Sequence, residues 1–112
     1  MSSLGKTMCR GQSGKVYRFK VYPLGTRLRK LGGLYVITSR FRNADGGYRH
    51  VPLYVGQSED FSRPFKQHRG AENIQHHGGN CICIQLDDSE ESRLAKQQDL
   101  IATYHPLCNG EG

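Results

Sequence analysis

The stretch Leu53-Tyr54-Val55-Gly56-Gln57-Ser58 constrains the fold more than any other part of this chain. Its apolar and aromatic residues read as a strand that runs into a glycine turn. A short loop then leads to Phe61-Ser62-Arg63-Pro64-Phe65-Lys66-Gln67-His68. Pro64 has no backbone N–H to donate, so it belongs in the first turn of a helix. With Ser62 as N-cap the missing donor costs little, and the helix that follows carries His68.

The segments on either side can be placed around this one. Residues 1–14 are rich in Ser, Gly and Lys and read as a flexible N-terminus, leaving a single domain over 15–109. From Lys15 to Tyr22 the pattern alternates, with Tyr17, Phe19 and Val21 on one face and Arg18 and Lys20 on the other. That period of two is a half-buried strand, and Pro23 ends it. Gly25 to Gly32 is a basic connector containing Leu28 and Leu31. Leu34 to Phe41 is a denser, central strand, and Asn43-Ala44-Asp45-Gly46-Gly47 has turn chemistry. His50 to Gln57 then returns antiparallel, which puts Tyr35 and Tyr54 on adjacent strands. A short helical stretch over Ala71 to His77 breaks at Gly78-Gly79, and Cys81 to Leu86 is a further strand. Asp88 with Glu91 reads as a capping box opening a helix from Ser89 to Tyr104, with Leu94, Leu100, Ile101 and Tyr104 as its apolar stripe. Pro106 stops that helix. The expected architecture is α/β: a small antiparallel or mixed sheet of three to four strands flanked by helices.

Charge narrows the partners. The formal net charge is +6, and much of the basic excess precedes residue 50, while acidic residues gather at Asp87-Asp88 and Glu90-Glu91. A basic half-surface suits a polyanion, and a solvated face that keeps the protein in solution accounts for the same charges. No apolar run approaches the roughly 20 residues that cross a bilayer, and no apolar stretch follows Lys6 and Arg10 as in a secretory signal. The expectation is a cytoplasmic protein with no membrane partner. Cys9, Cys81, Cys83 and Cys108 contain no Cys-x-x-Cys pair and read as small buried groups. A zinc site of His76-His77 with Cys81 and Cys83 is the alternative.

Gly33-Leu34-Tyr35, Tyr54-Val55-Gly56, the spacing from Gly56 to His68, and the ending Leu100-Ile101, Tyr104, Pro106, Asn109 occur in that order. Together they resemble the GIY-YIG nuclease family, over roughly Lys15 to Asn109. The resemblance implies a GIY-YIG-like fold and hydrolysis of phosphodiesters with one divalent cation, Mg2+ or Mn2+. It implies a site containing Tyr35, Tyr54, His68 and Asn109, joined by an arginine and a carboxylate. In that chemistry a phenol positions or deprotonates the attacking water, a guanidinium holds the non-bridging oxygens, and a carboxylate binds the metal.

Two positions depart from the pattern. The family arginine falls on Pro64, and Arg63 beside it is rotated by about 100° on a helix. The family glutamate falls on Gln97, whose neutral amide is a poor ligand for a hard cation. Glu90 lies about 10.5 Å away along the helix, and Asp99 faces elsewhere. Taken singly, the retained residues have structural explanations too. Tyr35 and Tyr54 serve equally as core aromatics, His68 as a surface residue and Asn109 as a chain-end cap. Three functional readings follow. The favoured one is a nucleic-acid-binding module with hydrolysis lost, DNA placed ahead of RNA, with Arg40, Arg42, Lys66 and Arg69 as contacts and no metal. The second is an active metal-dependent endonuclease using Arg63 in a shifted site. The third is a protein-binding adaptor or inhibitor on the same fold.

Overall fold

The computed structural model describes residues 3–63 and 71–109. The elements run β1 (Lys6–Arg10), β2 (Val16–Pro23), β3 (Gly33–Arg42), β4 (Tyr48–Ser58), α1 (Ala71–His76), β5 (Cys81–Leu86) and α2 (Glu90–Tyr104). The strands form one five-stranded sheet in the order β1-β2-β5-β3-β4, and each pairing is antiparallel. The α/β class is as expected, with more strands than the three to four read from the pattern.

The extra strand is β1, from a segment expected to be flexible. Its five residues pair with β2 from Lys6↔Lys20 to Arg10↔Val16. The hairpin is held from outside by α2. Asp99 accepts hydrogen bonds from the Ser13 N–H at 2.8 Å, the Ser13 hydroxyl at 2.7 Å and the Tyr17 hydroxyl at 2.7 Å. The Tyr104 hydroxyl accepts from the Arg10 N–H at 3.1 Å. These partners lie more than eighty positions away in sequence, so local composition carries no sign of them.

Strand alternation divides the core into two layers. On one face Tyr17, Phe19, Val21, Leu34, Val36, Val55 and the thiols of Cys9, Cys81 and Cys83 pack beneath Leu100 of α2. On the other, Tyr35, Ile37, Leu53, Phe61, Ile82 and Cys108 pack with Ile74 of α1. Among the described residues no helix is long and apolar enough to cross a membrane. The helix expected to follow Ser62 falls largely on 64–70, outside the described residues. Helix α1 closes at Gly78, whose φ of +81° is the left-handed conformation that glycine adopts without penalty.

The start of α2 differs from the expected capping box. Ser89, one residue beyond Asp88, is the N-cap, and its hydroxyl accepts from the Ser92 N–H at 3.2 Å. Asp87 organises the turn: it accepts from the Ser89 N–H and the Ser92 hydroxyl, and it pairs with Lys96 at 2.9 Å. The Ser92 hydrogen bond and then that of Lys96 pull its carboxyl down to about 2. A folded-state value below the unfolded one stabilises the protein above the unfolded pKa and is lost as the carboxylate protonates. The Asp87 contribution should therefore be complete above about pH 4 and lost as the pH falls toward about 2. Asp87→Asn should lower thermal stability at neutral pH and flatten this acid limb, measured as Tm against pH.

The apolar stripe of α2 also differs. Leu94 is 43% exposed, whereas the neighbouring Arg93 is buried. Arg93 can enter because its head finds acceptors: Nε donates to Gln57 Oε1 at 2.9 Å and a terminal nitrogen to the Asp87 carbonyl at 3.1 Å. A buried guanidinium needs such partners, whereas leucine is indifferent to them. The helix ends on His105, in the left-handed conformation with φ +43°, followed by the buried Pro106.

Candidate functional site

Tyr35 and Tyr54 come together as the strand reading expects. Tyr35 sits opposite Gly56 on β4, and Tyr54 sits opposite Ile37, so the two tyrosines are diagonal neighbours on one face. Their rings stack at 6.0 Å between centroids, and the edge of Phe61 meets Tyr35 at 6.3 Å. The Tyr35 and Tyr54 hydroxyls are hydrogen-bonded to each other. Burial raises the Tyr35 pKa well above that of an ordinary phenol, and the neighbouring Tyr54 and the hydrogen bond shared with it raise it further. Burial also raises Tyr54, with the shared hydrogen bond opposing the shift. Neither phenol ionises near neutral pH. Tyr54, half-buried, is the member of the pair nearer to solvent.

Gly56 has a role other than the turn expected of it. It lies inside β4, which continues to Ser58. A Cβ there would stand 2.5 Å from Cζ and the hydroxyl of Tyr35 and 2.8 Å from a ring carbon of Tyr54. Gly56 therefore makes the space in which the Tyr35 ring lies across the neighbouring strand. Gly33 is as confined, since its Cβ would come 2.1 Å from the Gln85 carbonyl oxygen.

Asn109 and Gln97 meet at the exposed edge of the same strand. The Asn109 side chain accepts from the Val55 N–H at 2.7 Å and donates to the Val55 carbonyl at 2.9 Å. Two residues earlier on β4, the Leu53 carbonyl accepts from the Cys108 N–H at 2.9 Å. The chain end thus covers the outer edge of the sheet and occupies backbone groups that would otherwise be open to another strand. Gln97 adds a longer contact, its Nε2 donating to the Val55 carbonyl at 3.4 Å. This donor set does not fit a Mg2+ or Mn2+ ion. Gln97 directs an amide N–H toward the shared carbonyl, both polar atoms of Asn109 are engaged by the backbone, and a hard cation calls for carboxylate oxygen.

The remaining expected residues are dispersed. Arg63 is held at 3.8 Å from both Glu59 and Asp60, with its side chain 72% exposed. Asp60 is itself pulled down by hydrogen bonds from the Ser62 hydroxyl and N–H. Pro64, Lys66, His68 and Arg69 lie outside the described residues. Arg40 and Arg42 occupy alternate positions of β3 on the opposite parity from Tyr35, so they belong to the face that α2 covers. There the Arg40 guanidinium stacks 3.7 Å from the centre of the Tyr48 ring, with that of Arg42 at 5.6 Å.

Arg93 escaped the sequence reading, although it lies four residues before Gln97 and so shares its helix face. It braces Gln57, one residue beyond Gly56, against α2. Cys81 and Cys83 do point the same way, but into the core with Cys9. Burial raises all three thiols, leaving them poor metal ligands. His76 and His77 are exposed and meet edge to face at 5.3 Å. Among the described residues no three His, Cys, Asp or Glu side chains are grouped to hold a metal.

No protein-family profile, curated protein or solved structure matches the chain.

Proposed function

We propose that this chain is a GIY-YIG-like domain that binds nucleic acid and has lost phosphodiester hydrolysis. The observation that carries the reading is the edge of β4. Gln97, where the resemblance calls for the metal-binding carboxylate, and Asn109, a further residue of the implied site, both bond the main chain of Val55. They brace a strand and offer a cation no carboxylate. The tyrosine pair supports the same reading, since two phenols held neutral beside one another make a poor base for activating water. Arg63, engaged by Glu59 and Asp60, weighs against a shifted phosphate clamp. The net charge of +6 supports a polyanionic ligand.

The test is a nicking assay on supercoiled plasmid and on single-stranded oligonucleotide with Mg2+ or Mn2+, run beside a gel-shift titration. The expected result is a shift at low salt that weakens steeply toward physiological salt, with no nicks above an EDTA control. Metal-dependent cleavage would refute the loss of hydrolysis, and Arg63 would then be the first residue to substitute. The absence of any shift, even at low salt, would favour the protein-binding adaptor.

A further inference from the structure

A groove of about 670 Å³ crosses the sheet on the face that carries the tyrosine pair. Its floor is apolar. Tyr22 of β2 and Ile84 of β5 belong to the same packed layer as Tyr35, and Ile84 sits directly opposite Tyr35 in the strand register. Leu28 and Leu31 of the connector between β2 and β3 continue this surface, and Phe61 closes the end nearest Tyr35.

The walls are cationic on both sides. Lys6, Arg18 and Lys20 line it from β1 and β2, and Arg27 and Arg29 from the connector; among the described residues the lining includes no acidic one. None of the five forms a salt bridge among the described residues. Lys6 and Lys20 are directly cross-strand partners. Like charges in that position repel, and among the described residues neither has a salt bridge to relieve it. An anionic occupant would relieve both.

We infer that this groove binds single-stranded nucleic acid, with phosphates along the two cationic walls and bases laid on the partly exposed Tyr22 side of the floor. The inference rests on the nucleic-acid reading above, and it moves the contact surface from Arg40 and Arg42 to the opposite face of the sheet. Alternation of charge with apolar and aromatic surface selects the occupant. A single strand presents both phosphates and open base faces, which aromatic residues take up regardless of sequence. A duplex keeps its base faces stacked inside and has only phosphates for such walls. A planar lipid surface cannot reach a recessed floor, and an acidic peptide has no flat bases to lay on it.

The experiment is fluorescence anisotropy with a labelled oligothymidine and a hairpin duplex of equal length, in low and physiological salt. Five phosphate contacts predict a slope of log affinity on log salt of about −3.5, or about 100-fold weaker binding for a fourfold rise in salt. Arg18→Glu with Lys20→Glu should weaken oligothymidine binding at least about tenfold and lower the slope by about 1.4. Tyr22→Leu, which keeps the apolar packing, should weaken the single strand and leave any duplex binding unchanged. Arg40→Glu with Arg42→Glu should change affinity less than about twofold. Mapping the crosslinks of a 4-thiothymidine oligonucleotide on the unmodified protein gives a readout independent of variant folding, expected at Tyr22.

Loss of affinity in the Arg40/Arg42 variant alone, or crosslinks confined to the β3–β4 hairpin, would overturn the groove and leave nucleic-acid binding standing. Duplex bound as tightly as the single strand would overturn the assignment of the strand class. Failure of the unmodified protein to bind either oligonucleotide removes both proposals.

Discussion

Gly33→Ala should cost the folded protein several kcal/mol, and Gly56→Ala should destabilise it by less. The two differ in what the new methyl group strikes. At position 33 it would lie 2.1 Å from the Gln85 carbonyl oxygen, on a strand paired with both β2 and β3. No rotamer change relieves a backbone clash, so the central strands must separate. Overpacking usually costs about 1–3 kcal/mol and more where nothing can yield, so a loss of about 4 kcal/mol is expected. A domain of this size holds only about 5–15 kcal/mol, and the loss should lower Tm by about 20 °C or prevent folding. At position 56 the methyl strikes the far end of the Tyr35 ring, 2.5 Å away. That ring can be shortened. Tyr35→Leu should therefore rescue part of the damage of Gly56→Ala and none of that of Gly33→Ala. Gly47→Ala, whose Cβ would come no closer than 3.4 Å to its neighbours, should be near neutral. Circular dichroism melts of the single and double variants measure all of this. Additive losses for Gly56→Ala and Tyr35→Leu would mean that the ring does not lie over Gly56.

The same glycine shows how much of this fold was legible beforehand. A strand with period-two alternation writes its burial into its own sequence, so Tyr17, Phe19 and Val21 were placed on the core face of β2 correctly. The turn chemistry at 43–47 made β3 and β4 a hairpin, which brought Tyr35 and Tyr54 onto adjacent strands. Gly56 was misread because a glycine at the end of an apolar run has two causes, a backbone that must turn and a neighbour that needs the space. Only the partner strand distinguishes them. β1 was missed for a similar reason. Of its five residues only Cys9 is buried, and its anchors, Asp99 and Tyr104, come from the far end of the chain. Arg93 was missed because helix periodicity counts apolar residues, whereas this buried position is occupied by a long charged one whose acceptors lie on β4 and in the β5–α2 turn.

On the proposed reading, Pro64→Arg together with Gln97→Glu should give cleavage, and one of the two changes has a signature that needs no substrate. In Gln97→Glu a carboxylate replaces the amide N–H that now faces the Val55 carbonyl at 3.4 Å. Two oxygens then face each other with no proton between them, which should cost about 1 kcal/mol in EDTA through a lost hydrogen bond and the repulsion of acceptors. A divalent cation held by the new carboxylate would reverse the sign. The variant should therefore gain several degrees in Tm on addition of Mn2+, whereas the unmodified protein should gain none. Pro64→Arg supplies the guanidinium that the resemblance calls for eight positions beyond Gly56, in a segment outside the described residues. Each single change should leave cleavage at background, because a cation without a phosphate clamp, or a clamp without a cation, leaves the transition state half-stabilised. The double variant should nick DNA with a metal dependence that follows its Tm shift. If Gln97→Glu melts identically with Mn2+ and with EDTA, the edge of β4 is not a latent metal site and no clamp at position 64 will matter. If the Tm rises and the double variant still does not cleave, the proposed loss of hydrolysis is traced to the neutral, mutually bonded tyrosines. Tyr35→Phe, which removes the hydrogen bond between the two hydroxyls, is then the change to add.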